Sequence, residues 1–165
     1  MMRTEAERLV CAYSDLILRL SYTYLGSVQD AEDICQNVLI KLMTLSPEFS
    51  SFEHEKAWVI RVTANACKDL LRTAARRRSV GLEALGSETP AKVEPDALFL
   101  DDTPVACAVA ALPIEQREAV HLHYYEGYQI AEIARMTGAS PAAVAKRLSR
   151  ARETLREILG RKHHG

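Results

Sequence analysis

The 165-residue sequence predicts an all-α protein, two small helical domains joined by a flexible acidic linker. Three observations carry that expectation. Apolar residues recur at helical spacing along most of the chain, and no stretch alternates polar and apolar side chains as a strand does. Residues 82–104, LEALGSETPAKVEPDALFLDDTP, hold three prolines, a glycine and six acids against one lysine, a composition that breaks helices and stays solvated. The formal charge of −1 conceals zones: −4 over 1–60, +5 over 61–81, −5 over 82–104, −2 over 105–140 and +5 over 141–165. Two basic patches divided by an acidic stretch point to two separate contacts with a polyanion. The expected division is 1–80, a linker at 81–104, and 105–165.

Periodicity predicts helices over 3–25, 28–45, 54–78, 105–111, 114–125, 128–136 and 141–160. A hydrophobic content of 48% is enough to build a core in each domain. No run of eighteen apolar residues is present, so no membrane-spanning helix or membrane insertion is expected. The start, MMRTEAERLV, lacks the basic-then-apolar layout of a signal peptide. Cys11, Cys35, Cys67 and Cys107 lie far apart with no CxxC pair, and read as buried thiols of a reducing compartment. The expected location is cytoplasmic.

The helix 28–45 has two apolar sides. Ala31, Ile34, Val38, Leu42 and Leu45 form an inner stripe, whereas Leu39, Ile40 and Met43 lie on another face among Glu32, Asp33 and Gln36. Apolar residues rimmed by acids and an amide fit a protein partner. Before the next helix, Phe49, Ser50, Ser51 and Phe52 can line a pocket or stack on a base. In WVIRVTANACKDLLR, residues 58–72, a helical wheel gathers Arg61, Asn65, Lys68, Asp69 and Arg72 within an arc of about 100°. Val59, Val62, Thr63, Ala66 and Leu70 form a separate apolar arc. An amide among cations offers base recognition with phosphate clamps around it. Asp69 is expected to orient Arg72 or Arg61.

The second domain carries the clearest motif. In YQIAEIARMTGASPAAVAKRLSRARETLREIL, a short helix breaks at Gly138, suited to a left-handed turn. Ser140 and Pro141 then supply an N-cap and a first-turn residue. This is a helix-turn-helix layout. On its second helix Val144, Leu148, Ala151, Leu155 and Ile158 share the core side. Ala142, Ala145, Lys146 and Ser149 point away, flanked by Arg147 and Arg150 on one side and Arg152 and Arg156 on the other. Small central residues can approach base edges while the flanking arginines hold the phosphate walls. His121 and His123 diverge on a helix and cannot share a metal.

Three of these segments, in order, resemble the extracytoplasmic-function (ECF) group of sigma-70 RNA polymerase sigma factors. DAEDICQNVLIKL is similar to that family's D-A-E-D-x-x-Q-E-V-F helix, with Asn37 where the pattern has Glu. WVIRVTANACKDLLR is similar to W-x-x-x-I-A-x-N-x-x-x-D-x-x-R. LPIEQREAVHLHYYEGYQIAEIARMTGASPAAVAKRLSRAR resembles the closing helix-turn-helix, with Ala142, Ala143, Ala145 and Lys146 where Gly, Thr, Lys and Ser are common. The resemblance implies a region 2 bundle over 1–80 and a region 4 helix-turn-helix over 105–165. Asp33, Gln36, Asn37 and Ile40 would bind core RNA polymerase at the clamp helices of its largest subunit, with its flap as a further contact. Ser50, Ser51, Phe52, Arg61, Asn65, Lys68 and Arg72 would bind the −10 element of promoter DNA. Ser140, Ala142, Ala145, Lys146, Arg147, Ser149 and Arg150 would bind the −35 element. An anti-sigma factor is the expected antagonist. The alternative is a stand-alone helix-turn-helix regulator, which leaves the faces on 30–45 and 61–72 without a role. An enzyme is not expected: no Cys–His or carboxylate–His spacing supports catalysis, and no cofactor or metal is implied.

Overall fold

Four of the described helices begin where a short polar side chain accepts a hydrogen bond from a free backbone N–H. The computed structural model describes residues 4–45, 47–81 and 104–163, and among these every regular element is helical. Thr4 Oγ1 accepts from the Glu7 N–H at 3.2 Å and opens α1, Glu5–Leu25. Gly26, at φ 66°, closes it with its N–H on the Tyr22 carbonyl. Ser27 Oγ accepts from the Asp30 N–H and opens α2, Val28–Leu45. Ser51 Oγ accepts from the His54 N–H and opens α3, Phe52–Gly81. These three helices form one compact unit. Its core joins Tyr13, Ile17 and Leu20 of α1, Ala31, Ile34 and Val38 of α2, and Val59, Ile60 and Cys67 of α3.

A second unit holds α4 (Pro104–Ala110), α5 (Ile114–Val120), α6 (Ile130–Thr137) and α7 (Pro141–His163). The Arg117 guanidinium donates to the Leu112 carbonyl at 2.8 Å and fastens the turn before α5. Burial lowers its pKa from the usual range. After Val120 the helix widens into a π-helical turn, His121–Tyr125. The Tyr128 N–H returns to the Leu122 carbonyl at 2.9 Å, and His123 Nδ1–H donates to the Tyr128 carbonyl at 2.8 Å. That closure makes α6 start at Ile130 instead of the expected 128. Gly138 takes φ 72°, and Ser140 Oγ accepts from the Ala143 N–H at 3.1 Å, so turn and cap form as the sequence predicts.

The linker expected at 81–104 lies, apart from Gly81 and Pro104, outside the described residues. Elsewhere the structure corrects four readings. Leu39 is buried, because α2 packs on both α1 and α3 and needs a wider apolar arc than one stripe. Leu45, expected in the stripe, is 63% exposed, since α2 ends there. Leu70 is exposed, because α3 outruns its core: no residue from Lys68 to Arg78 is buried. Cys35 and Cys67 are buried as expected, but Cys11 and Cys107 are exposed free thiols. Burial pushes the Cys67 thiol up to about 11.

Candidate nucleic-acid interfaces

On α3, Arg61, Asn65, Asp69 and Arg72 are exposed and Lys68 is half-buried, so the expected polar arc does face solvent. Beneath it Val59 and Thr63 are buried, the Thr63 hydroxyl donating to the Val59 carbonyl at 2.7 Å. Asp69 accepts a hydrogen bond from Arg72 one turn on, the orienting contact expected of it. Asp69 is thereby paired with a cation, which leaves Asn65 as the neutral polar group of the arc.

The loop before α3 is tied down by its own side chains. The Ser50 N–H donates to His54 Nδ1 at 3.2 Å, and Ser51 is committed as the cap. Phe49 packs edge-on against His54 and Trp58, with ring centroids at 5.3 and 5.8 Å, which folds the loop back along α3. Phe52 is 62% exposed. Phe52 and Asn65 are thirteen residues apart on one helix, about 20 Å along its axis. The structure therefore separates loop and arc into two positions along α3.

Sequence reasoning missed what anchors this loop. Glu55, only 8% exposed, accepts from Arg8 Nη1 and Nη2 at 3.1 and 2.9 Å and from the Tyr13 hydroxyl at 2.5 Å. The Arg8 guanidinium holds the Glu55 carboxyl below the usual carboxylate range, with the Tyr13 hydroxyl adding to it. No local pattern announces a pairing across 47 residues.

On α2, Asp33, Gln36, Asn37 and Ile40 are all exposed and share one arc. Ile40 is 56% exposed, and Met43 continues the strip one turn on. Acidic and amide groups rim an uncovered apolar centre, as a protein-binding patch requires.

In the second unit Val144, Leu148 and Ala151 are completely buried and fix the roll of α7. Ala142, Ala145, Lys146, Ser149 and Arg150 consequently face solvent. Arg147 is half-buried, its Nη2 3.5 Å from Glu115 Oε2. On the other flank Arg152 Nε donates to the Tyr124 hydroxyl at 2.6 Å. Pro113, Ile114, Glu115 and Gln116 join Ala143, Lys146, Arg147 and Arg150 around an open cleft of about 330 Å³. The start of α5 thus belongs to this face, which only the tertiary fold reveals. Among the described residues no cluster of three or more His, Cys, Asp and Glu side chains is placed to hold a metal, and no helix is long and apolar enough to cross a membrane.

Comparison with known proteins fits both units. Residues 9–77 match the sigma-70 region 2 family and residues 103–155 the sigma-70 region 4 family. The chain is 30% identical to the ECF RNA polymerase sigma factor SigE of Mycolicibacterium smegmatis, over 94% of this chain and 62% of that protein. It is 32% identical to the RNA polymerase sigma factor CarQ of Myxococcus xanthus, over 79% of this chain and 75% of that one. The chain spans 40% to 65% of the length of four of the curated relatives it matches, SigE among them. In three dimensions it is similar to the sigma factor RpoE from Bartonella quintana, solved in complex with the anti-sigma factor NepR. The TM-score is 0.73 at 23% identity, over 93% of this chain and 96% of that one, a likeness of fold. Two region models in the expected order, with relatives matched across both, place the chain in the sigma-70 family of RNA polymerase sigma factors, within its ECF group.

Proposed function

We propose that this chain is a promoter-recognition subunit of bacterial RNA polymerase, working in the cytoplasm by binding and without catalysing a reaction. The observation that carries the reading is the pairing of two unlike polar faces in one chain. Ala142, Ala145 and Ser149 on α7 form a small-residue face between cations. Asn65 on α3 is an exposed amide between cations. The first suits the major groove of a −35 duplex. The second suits a melted −10 strand, with Ser50, Ser51 and Phe52 beside it. The strip of Asp33, Gln36, Asn37 and Ile40 binds the clamp helices of core polymerase, and the second unit binds the flap. An anti-sigma protein blocks the same faces; RpoE of Bartonella quintana was crystallised with such a partner. The working division is 1–80, 81–104 and 105–165.

Opening needs no covalent step. Each unstacked base-pair step costs about 1.4 kcal/mol, and stacking one base on an aromatic ring returns roughly 1–3 kcal/mol. Capturing one or two bases therefore offsets the first steps of melting, and the phosphate contacts of Arg61, Lys68 and Arg72 hold the strand. The test is transcription in vitro from genomic fragments with core polymerase and this chain. Specific start sites are expected only when both are present. A chain that binds promoter-sized DNA but neither retains core nor starts transcripts is the stand-alone regulator instead.

A further inference from the structure

The π-helical turn before α6 has no part in the function proposed above, yet it carries a side chain onto the flank of α7. Its hydrogen bond runs from the Glu126 N–H to the His121 carbonyl, five residues back, at 3.0 Å. The turn takes in one residue more than an α-helical turn, which displaces its side chains around the axis. His123 is fixed by its Nδ1–H on the Tyr128 carbonyl at 2.8 Å. Its ring meets Tyr124 edge-on, with centroids 4.8 Å apart and planes at 80°. Tyr124 is 57% exposed, and its hydroxyl accepts from Arg152 Nε at 2.6 Å, across 28 residues of chain. The guanidinium also lies 5.7 Å from the centre of the Tyr124 ring. Arg152 is therefore held by a hydrogen bond and by a ring, although it is exposed. On the wheel of α7 it stands beside Ala145 and Ser149, on the far side of the polar arc from Arg150.

We infer that Tyr124 is a positioning residue for DNA, holding Arg152 so that it takes one backbone phosphate on the groove wall opposite Arg150, an assignment that rests on the −35 reading above. An exposed arginine loses rotamer freedom when it binds. Tyr124 meets part of that cost in advance, so more of the contact appears as affinity. The bond to Nε commits one donor and leaves those on Nη1 and Nη2, which can form two parallel bonds to phosphate oxygens. A backbone contact carries no sequence information; it sets the depth and register of α7 in the groove. The π-helical turn thereby gains a role: it seats the ring that aims the arginine.

The experiment uses holoenzyme assembled from core and this chain, on a duplex carrying the −35 element of a promoter recovered by the transcription assay. Each phosphate of the element is replaced in turn by an uncharged methylphosphonate. Arg152→Ala is expected to weaken binding about tenfold at low salt and to lower the slope of log affinity against log salt by about 1. One methylphosphonate position that weakens wild-type binding should have no effect on this variant. Tyr124→Phe keeps the ring and removes only the hydroxyl. It is expected to weaken binding about threefold and to shrink the penalty at that same position, with core retention and melting temperature unchanged. Because Tyr124 acts through Arg152, the double variant should bind no more weakly than Arg152→Ala alone. Binding by Arg152→Ala within about twofold of wild type at low salt, or a methylphosphonate penalty unaltered at every position, overturns the clamp. Equal losses from Tyr124→Phe in the wild-type and Arg152→Ala backgrounds overturn the positioning role. Wild-type holoenzyme that binds the −35 duplex no better than a scrambled one overturns the −35 reading instead.

Discussion

The two faces proposed to read DNA are built on opposite plans. On α7 the solvent-facing residues Ala142, Ala145, Lys146 and Ser149 are backed by Val144, Leu148 and Ala151, each with no exposed surface. On α3 the arc begins over a core at Val59 and Thr63 but outlives it, since nothing from Lys68 to Arg78 is buried. A face rigidly backed by core suits a duplex, whose groove has a fixed shape. A face that runs beyond its core, with a loop pinned by side-chain bonds, suits a strand that changes shape as it melts. The difference lies in packing, and each step of it is open to substitution.

The largest effect should come from the backing of α7. Leu148→Ala removes a fully buried side chain and is expected to cost about 2–5 kcal/mol in denaturant unfolding of the second unit. Leu70→Ala on the exposed run of α3 should change stability by less than about 0.5 kcal/mol. Equal costs would show that α3 is backed as firmly as α7 and end the contrast.

Next is the pin under the loop. Glu55→Gln is expected to cost about 2 kcal/mol at neutral pH, because a carboxylate accepting three hydrogen bonds becomes an amide. The sign with pH follows from linkage. The folded-state pKa of Glu55 lies below the unfolded value of about 4.5, so its contribution is present above that pH and fades as pH falls through the folded value. The curves of stability against pH for wild type and the Glu55→Gln variant should therefore converge in acid. Curves that stay parallel would mean that the ion pair adds nothing to the fold.

Asn65→Ala tests the α3 face directly. Loss of a paired amide contact is expected to slow promoter opening about tenfold while core retention persists. The measurement is permanganate reactivity of the melted −10 strand over time. An unchanged rate would move base recognition off this arc and leave the loop to do it alone.

Local chemistry made much of this readable before any coordinates. The Ser140 cap, the Gly138 turn and the Asp69–Arg72 contact each lie within a few residues, and each formed as the spacing predicts. The exposure of Asp33, Gln36 and Ile40 followed from one helical face, whereas Asn37 entered only through the family resemblance. What the sequence withheld was long-range pairing. Arg8 reaches Glu55 across 47 residues because α1 lies along α3, and no periodicity encodes that. Leu39 and Leu45 exchanged roles for a related reason: burial on α2 depends on where its two neighbours end. The π-helical turn depends on closure by Tyr128, likewise beyond any single helical period.

The smallest expected effect concerns Arg147, counted in the sequence among the cations facing DNA. In the fold it leans on Glu115, with about a quarter of its side chain exposed, at the rim of a cleft shared with Lys146 and Arg150. If Arg147 binds a phosphate as proposed, Glu115 competes for the same guanidinium. Exposed pairs of this kind are worth about 0.2–1 kcal/mol. Glu115→Gln is therefore expected to tighten holoenzyme binding to a −35 duplex about threefold at low salt, with the gain shrinking as ionic strength rises. Equilibrium binding across a salt series measures it. If the variant binds more weakly at every salt concentration, Glu115 positions Arg147 for DNA instead of competing with it. The α7 face would then be preformed in its charges as well as in its packing.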